Sequence, residues 1–86
     1  MGGDLEAVQQ IRNFILENFM IGRPAEELGD DDSLLDKGII DSTGVLELVS
    51  FIESTFGFTV EDAELVPENL DSVNRIAGYI GRKKAS

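Results

Sequence analysis

The chain has 86 residues, 42% of them hydrophobic, which is enough for one modest core. It holds no cysteine and no histidine, which excludes disulfides, thiolate metal ligation and catalysis by a Ser-His or Cys-His pair. With 17 acidic against 7 basic residues the net charge is −10, the wrong sign for gripping nucleic-acid phosphates or an anionic membrane.

Asp4 is placed to cap a first helix running to about Met20. Val8, Ile11, Ile15 and Phe19 recur there at three- and four-residue steps, with Leu5 at the front of the same stripe. Gly22 and Pro24 end it. From there to Ile40 runs a long connection with the acidic stretch "GDDDS" and five apolar residues, Leu28, Leu34, Leu35, Ile39 and Ile40, expected to pin it across the helices. Loops of this length are uncommon in compact domains and are often functional. Ser42 opens the most regular pattern of the chain. Val45, Leu48, Val49, Ile52 and Phe56 fall at i, i+3, i+4, i+7 and i+11 on one helical face, and Gly57 closes the helix. "FTV" (58–60) is too short to make a sheet. "VPENL" (66–70) predicts a single turn with Pro67 at its first position. Asp71 is then expected to cap a last helix striped by Val73, Ile76, Ala77 and Ile80, with Arg82, Lys83 and Lys84 at its end, where cations favour the dipole. The sum is an all-α fold in one domain over residues 1–86. It is a small four-helix bundle of three main helices plus one short helix, with a long loop between the first two.

Three Asp-Ser pairs stand in this pattern, at Ser33, Ser42 and Ser72, and the ordinary use of such a pair is helix capping. Ser72 fits that use, with Asp71 as the cap and Ser72 in the first turn. Ser33 lies in the acidic run, and no long helix follows it. Ser42 is different: "GII" anchors the incoming loop, and the serine opens a rigid helix with its hydroxyl directed away from the core. Unpaired backbone N–H groups and the positive dipole end favour a phosphate at such a place.

The stretch "LLDKGIIDSTGVLELVSFIESTFGFTV" (34–60), followed by "ENLDSVNRIAGYI" (68–80), resembles the acyl carrier protein family and its aminoacyl and peptidyl carrier relatives. Gly38, Asp41, Ser42, Glu47 and Leu48 stand in the register of that family's pattern. The resemblance implies a four-helix bundle carrying 4′-phosphopantetheine on Ser42, with Asp41 beside it. The arm comes from coenzyme A through a phosphopantetheinyl transferase, and acyl or aminoacyl groups ride on its thiol as thioesters. It further implies a monomer that is not an enzyme, with no catalytic residue and no metal site. A cytoplasmic location is expected because no stretch has the length of an apolar membrane span and the N-terminus lacks a signal-peptide layout. The implied partners are the transferase and acyl- or aminoacyl-loading ligases, synthases or transferases with basic docking patches. Nucleic acid and membrane are not among them. Asp36, Thr43, Leu46, Glu47, Ser50 and Glu53 are the expected partner contacts.

Some positions depart from members that serve fatty acid synthesis. Thr43 replaces the usual Leu, Gly44 a frequent acid, Ser50 a common Met and Ser54 a common acid. These changes point to a specialised pathway, an amino acid or an unusual acyl group; for Thr43 and Gly44 the other reading is neutral drift in a first helical turn. "DDDSLLDKGIID" (30–41) has the length of a calcium loop, but Leu34 and Leu35 occupy its fifth and sixth positions, where a ligand and a glycine belong. A competing function is an unmodified acidic helical adaptor or inhibitor docking on a basic protein surface.

Between Glu26 and Asp71 lie 14 acidic residues and a single basic one, Lys37. Complementary potential would draw a basic partner to that stretch, and the same charges repel one another. Salt or millimolar divalent cations are therefore expected to raise the melting temperature at low ionic strength. A melting curve indifferent to both would show the acids to be too dispersed to matter.

Overall fold

The computed structural model describes residues 2–85, with the backbone alone for residues 2–4. Its helices are α1 (Gly2–Phe19), α2 (Ser42–Phe56), α3 (Pro67–Leu70) and α4 (Val73–Ala85), with 3-10 turns at Ala25–Glu27 and Asp62–Glu64. No strand occurs among the described residues. The fold is the expected all-α four-helix bundle.

α1 begins at Gly2, ahead of the expected cap Asp4, whose side chain lies outside what is described. Its buried stripe is Ala7, Ile11 and Ile15, continued by Met20 beyond the helix, whereas Leu5 is 74% exposed. At 3.6 residues per turn Leu5 lies about 120° around the helix from Ile11, which carries it off the stripe. Ile11 and Ile15 meet Leu48 and Ile52 of α2 and Val73 and Ile76 of α4 in one core, all six fully inaccessible. Each contributes roughly 1.5–3 kcal/mol relative to exposure. Phe14 and Phe51 stack between α1 and α2 with centroids 4.2 Å apart. Gly57 ends α2 in the left-handed conformation at φ 77°, as its position suggests, and its N–H donates to the Glu53 carbonyl.

The long connection is a strap bound down along its length. Leu28, Leu34, Ile39 and Ile40 are buried, as expected; Leu35 is left 45% exposed. Three consecutive aspartates stitch it to different places. The Arg12 guanidinium donates to Asp30 Oδ1 at 2.8 Å and to the carbonyls of Leu28 and Ala25. Asn74 donates through its side chain to Asp31 Oδ1 and through its backbone N–H to the Asp30 carbonyl. Asp32 accepts from Lys37 Nζ and from the Gly29 amide. The carboxylates thus face separate protein partners, and among the described residues no cluster of acids is placed to hold a metal.

The start of α4 corrects the sequence reading. Ser72 is the cap: its Oγ accepts from the Arg75 amide at 3.1 Å, and its carbonyl accepts from Ile76. Asp71 is drawn instead to the strap. Its carboxylate accepts from Ser33 Oγ at 2.6 Å and from the Leu35 amide at 3.0 Å, while its carbonyl accepts from the Leu34 amide.

The segment between α2 and α3 is fastened by a second carboxylate. Glu64 accepts from the Glu61 amide, from the hydroxyl of Tyr79 on α4 at 2.8 Å and from Lys83 Nζ at 3.0 Å. The amide bond from Glu61, with help from Lys83 and Tyr79, holds the Glu64 carboxyl below the usual range, while burial and then Glu64 itself push the Tyr79 hydroxyl upward. Asp32 is likewise lowered, first by Lys37 and then by the Gly29 amide. Because folding lowers the Glu64 pKa, its contribution is complete above the ordinary Glu value of 4.5 and is lost as pH falls through the lowered folded value. The stability advantage of the wild type over Glu64→Gln, measured by denaturant melts, is accordingly expected to be full at pH 7 and to shrink below pH 4.5. An advantage that persisted undiminished into strong acid would show that the carboxylate is not what fastens this segment.

Candidate functional site

The approach to Ser42 is set by the strap. Gly38 turns the chain at φ 68°, a left-handed conformation that suits glycine. The amides of Ile39 and Ile40 both donate to the Leu34 carbonyl, and their side chains enter the core. Asp41 follows in extended backbone as the N-cap of α2. Its Oδ1 accepts from the Gly44 amide at 2.8 Å and its carbonyl from the Val45 amide. Ser42 and Thr43 are then the first two helical residues, and their N–H groups have no acceptor within the helix.

The three serines separate cleanly. Ser33 Oγ donates to Asp71 and accepts from the Asp36 amide. Ser72 is 3% exposed and caps α4. Ser42 is exposed, and its hydroxyl makes no hydrogen bond among the described residues. Beside it a groove of about 420 Å³ opens between the start of α2, the strap and α3. Leu34, Leu35, Val45, Leu46, Leu65 and Leu70 make its walls apolar, with Ser42 and Asp71 also in the lining. A free hydroxyl, two outward amides under a positive dipole end and an adjoining apolar groove suit a serine-linked phosphodiester with an organic tail.

Thr43, Leu46, Glu47 and Ser50 share the exposed face of α2, with Leu46 63% exposed, and Asp36 is exposed on the strap. Glu53 departs from the outward face expected of it. It is half-buried, and its Oε2 accepts from the Val60 amide at 2.8 Å, tying the end of α2 to the segment after it. Gly44 is buried, so it belongs to the interior and not to a partner surface. Sequence reasoning missed the far wall of the groove, Leu65 and Val66, and the Asp71 clamp behind it. The apolar pair before Pro67 was the available signal for the former; nothing local marked the latter.

A family described as Phosphopantetheine attachment site matches the chain over residues 9–80. A D-alanyl carrier protein of Streptococcus suis (strain 05ZYH33) is 36% identical over 72 residues, spanning 84% of this chain and 87% of that protein. Another, from Abiotrophia defectiva, is 32% identical over 56 residues, or 65% of this chain and 71% of the relative. In three dimensions the chain is similar to the solution structure of a holo acyl carrier protein from Nitrosomonas europaea. The TM-score is 0.77 over 94% of this chain and 99% of the other, and at 21% identity the likeness concerns the fold.

Removing the clamp and removing the free serine should have opposite weights in stability. Asp71→Ala deletes two hydrogen bonds to a charged acceptor and is expected to lower the unfolding free energy by about 2–3 kcal/mol. Ser42→Ala should stay within about 0.5 kcal/mol of the wild type. Urea denaturation measures both; a large loss at Ser42 would mean that its hydroxyl has a structural task.

Proposed function

The chain belongs to the phosphopantetheine attachment-site family, and from that premise we propose that Ser42 is its point of attachment for 4′-phosphopantetheine. The protein is a non-catalytic carrier and the substrate of a phosphopantetheinyl transferase. The observation that supports Ser42 is its freedom: of the three Asp-Ser serines, it alone has a hydroxyl both exposed and without a hydrogen bond. When bound, the arm supplies a terminal thiol on which an acyl or aminoacyl group is held as a thioester, chemistry that a chain without cysteine cannot provide for itself. The residues around Ser42 present and orient. Asp41 caps the turn, the outward amides of Ser42 and Thr43 favour the attached phosphate, and the groove walls offer apolar cover.

For the cargo we favour an aminoacyl group. The curated relatives are carriers of D-alanyl by name, at up to 36% identity over most of both chains for the Streptococcus suis protein. Thr43, Ser50 and Ser54 also leave the α2 face less apolar and less acidic than is usual among carriers for fatty acid synthesis. The transferase and an aminoacyl-loading ligase are then the partners, docking across Asp36, Thr43, Leu46, Glu47 and Ser50, with basic residues matching Asp36 and Glu47. Residues 1–86 are read as one carrier domain. No helix among the described residues is long and apolar enough to cross a membrane.

Incubation with coenzyme A and a broad-specificity transferase is expected to add one phosphopantetheinyl mass to the wild type, Ser33→Ala and Ser72→Ala, and none to Ser42→Ala. Addition to Ser42→Ala would overturn the attachment assignment. The modified protein should then load faster from a D-alanine-activating ligase than from a fatty-acyl synthetase. Equal or reversed rates would remove the cargo assignment and leave attachment intact.

A further inference from the structure

We infer that Gly44, with Phe19 packed against it, is a positioning residue for the transfer of the arm to Ser42; the inference rests on the assignment of Ser42 above. Gly44 lies in the first turn of α2 at an ordinary helical φ, where backbone preference alone would favour alanine. A Cβ there would stand 2.9 Å from Phe19 Cε1, 3.2 Å from Ile40 Cγ2 and 3.4 Å from Asp41 Oδ1. Contacts that short force something to move.

Phe19 is half-buried at the end of α1, and its aromatic neighbours limit how far the ring can swing. The Phe19 ring sits edge-on to Phe14 at 5.8 Å, and Phe14 stacks on Phe51 at 4.2 Å, so the ring belongs to an aromatic chain that runs back to α2 itself. Ile40 is 3% exposed within the core. The shift is therefore shared with the first turn of α2. That turn is closed by the Gly44 amide on Asp41 Oδ1 at 2.8 Å, and the two residues inside the closure are Ser42 and Thr43. Since the Ser42 side chain has no other tether, its aim is inherited from this closure and from how closely Gly44 approaches Phe19.

Aim matters because the transfer is a displacement at phosphorus. The Ser42 Oγ–P bond forms, the pyrophosphate P–O bond of coenzyme A breaks, adenosine 3′,5′-bisphosphate leaves, and the hydroxyl proton passes to a base supplied by the transferase. Attacking and leaving oxygens must lie roughly in line, and small misplacements slow such steps severely.

The test compares wild type, Gly44→Ala, Phe19→Leu and the double variant as transferase substrates, with Ser42→Ala in parallel and the folded state of each followed by circular dichroism. Gly44→Ala should lose about tenfold in kcat with the KM for the carrier unchanged. An unfolded fraction would instead raise the apparent KM by shrinking the competent population. Phe19→Leu alone serves as the reference for the double variant, and adding it to Gly44→Ala should restore kcat to within about threefold of that reference, since it removes the opposing ring edge. Wild-type kcat in folded Gly44→Ala would overturn the inference, as would a defect, in rate or in folding, that Phe19→Leu does not relieve. Modification persisting in Ser42→Ala would instead defeat the attachment reading on which the inference rests.

Discussion

The surroundings of Ser42 depend on one carboxylate, that of Asp71. By accepting from Ser33 and from the Leu35 amide, with its own carbonyl accepting from Leu34, it fastens the strap to the junction of α3 and α4. That fixes which of two adjacent leucines goes inward: Leu34 enters the core, and Leu35 stays at the edge of the groove. The Leu34 carbonyl then gathers the amides of Ile39 and Ile40, and the chain is delivered to Asp41 in the orientation that starts α2. The two carboxylate links are charge-assisted, and the others are ordinary backbone hydrogen bonds. Together they convert a seventeen-residue connection (24–40) into a rigid wall beside a serine that takes no part in them.

Charge is used in the same way throughout. A run of three aspartates suggests solvation or a cation, yet each has its own partner: Arg12 on α1, Asn74 on α4, and Lys37 within the strap. Glu64 and Glu53 do comparable work for the segment after α2. Several members of the acidic excess are thus internal fasteners. Asp36 and Glu47, by contrast, are exposed on the strap and on α2.

What was legible in the sequence was what repeats or punctuates locally. The α2 stripe, Gly57 as its stop and Pro67 opening a single turn depend on neighbours three or four residues away, and all three stand in the structure. The same holds for Ser42 as the residue that opens α2. Choices between adjacent residues were not legible when a distant partner decides them. Asp71 and Ser72 are equally good caps, and the outcome turns on Ser33, 38 residues earlier. Glu53 sits outward by periodicity and is drawn in by the Val60 amide. Gly44 read as a mark of a specialised pathway or as neutral drift because Phe19, which packs against it, belongs to another helix.

The span of the Ser33–Asp71 bond also orders events during synthesis of the chain. When Ser42 emerges from the ribosome, the Asp71 carboxylate that will dock the strap is still inside the exit tunnel, and so are Leu65 and Leu70, which close the groove. A nascent polypeptide therefore shows the Ser42 hydroxyl beside an undocked strap, and the groove is complete only once Asp71 has folded back onto Ser33.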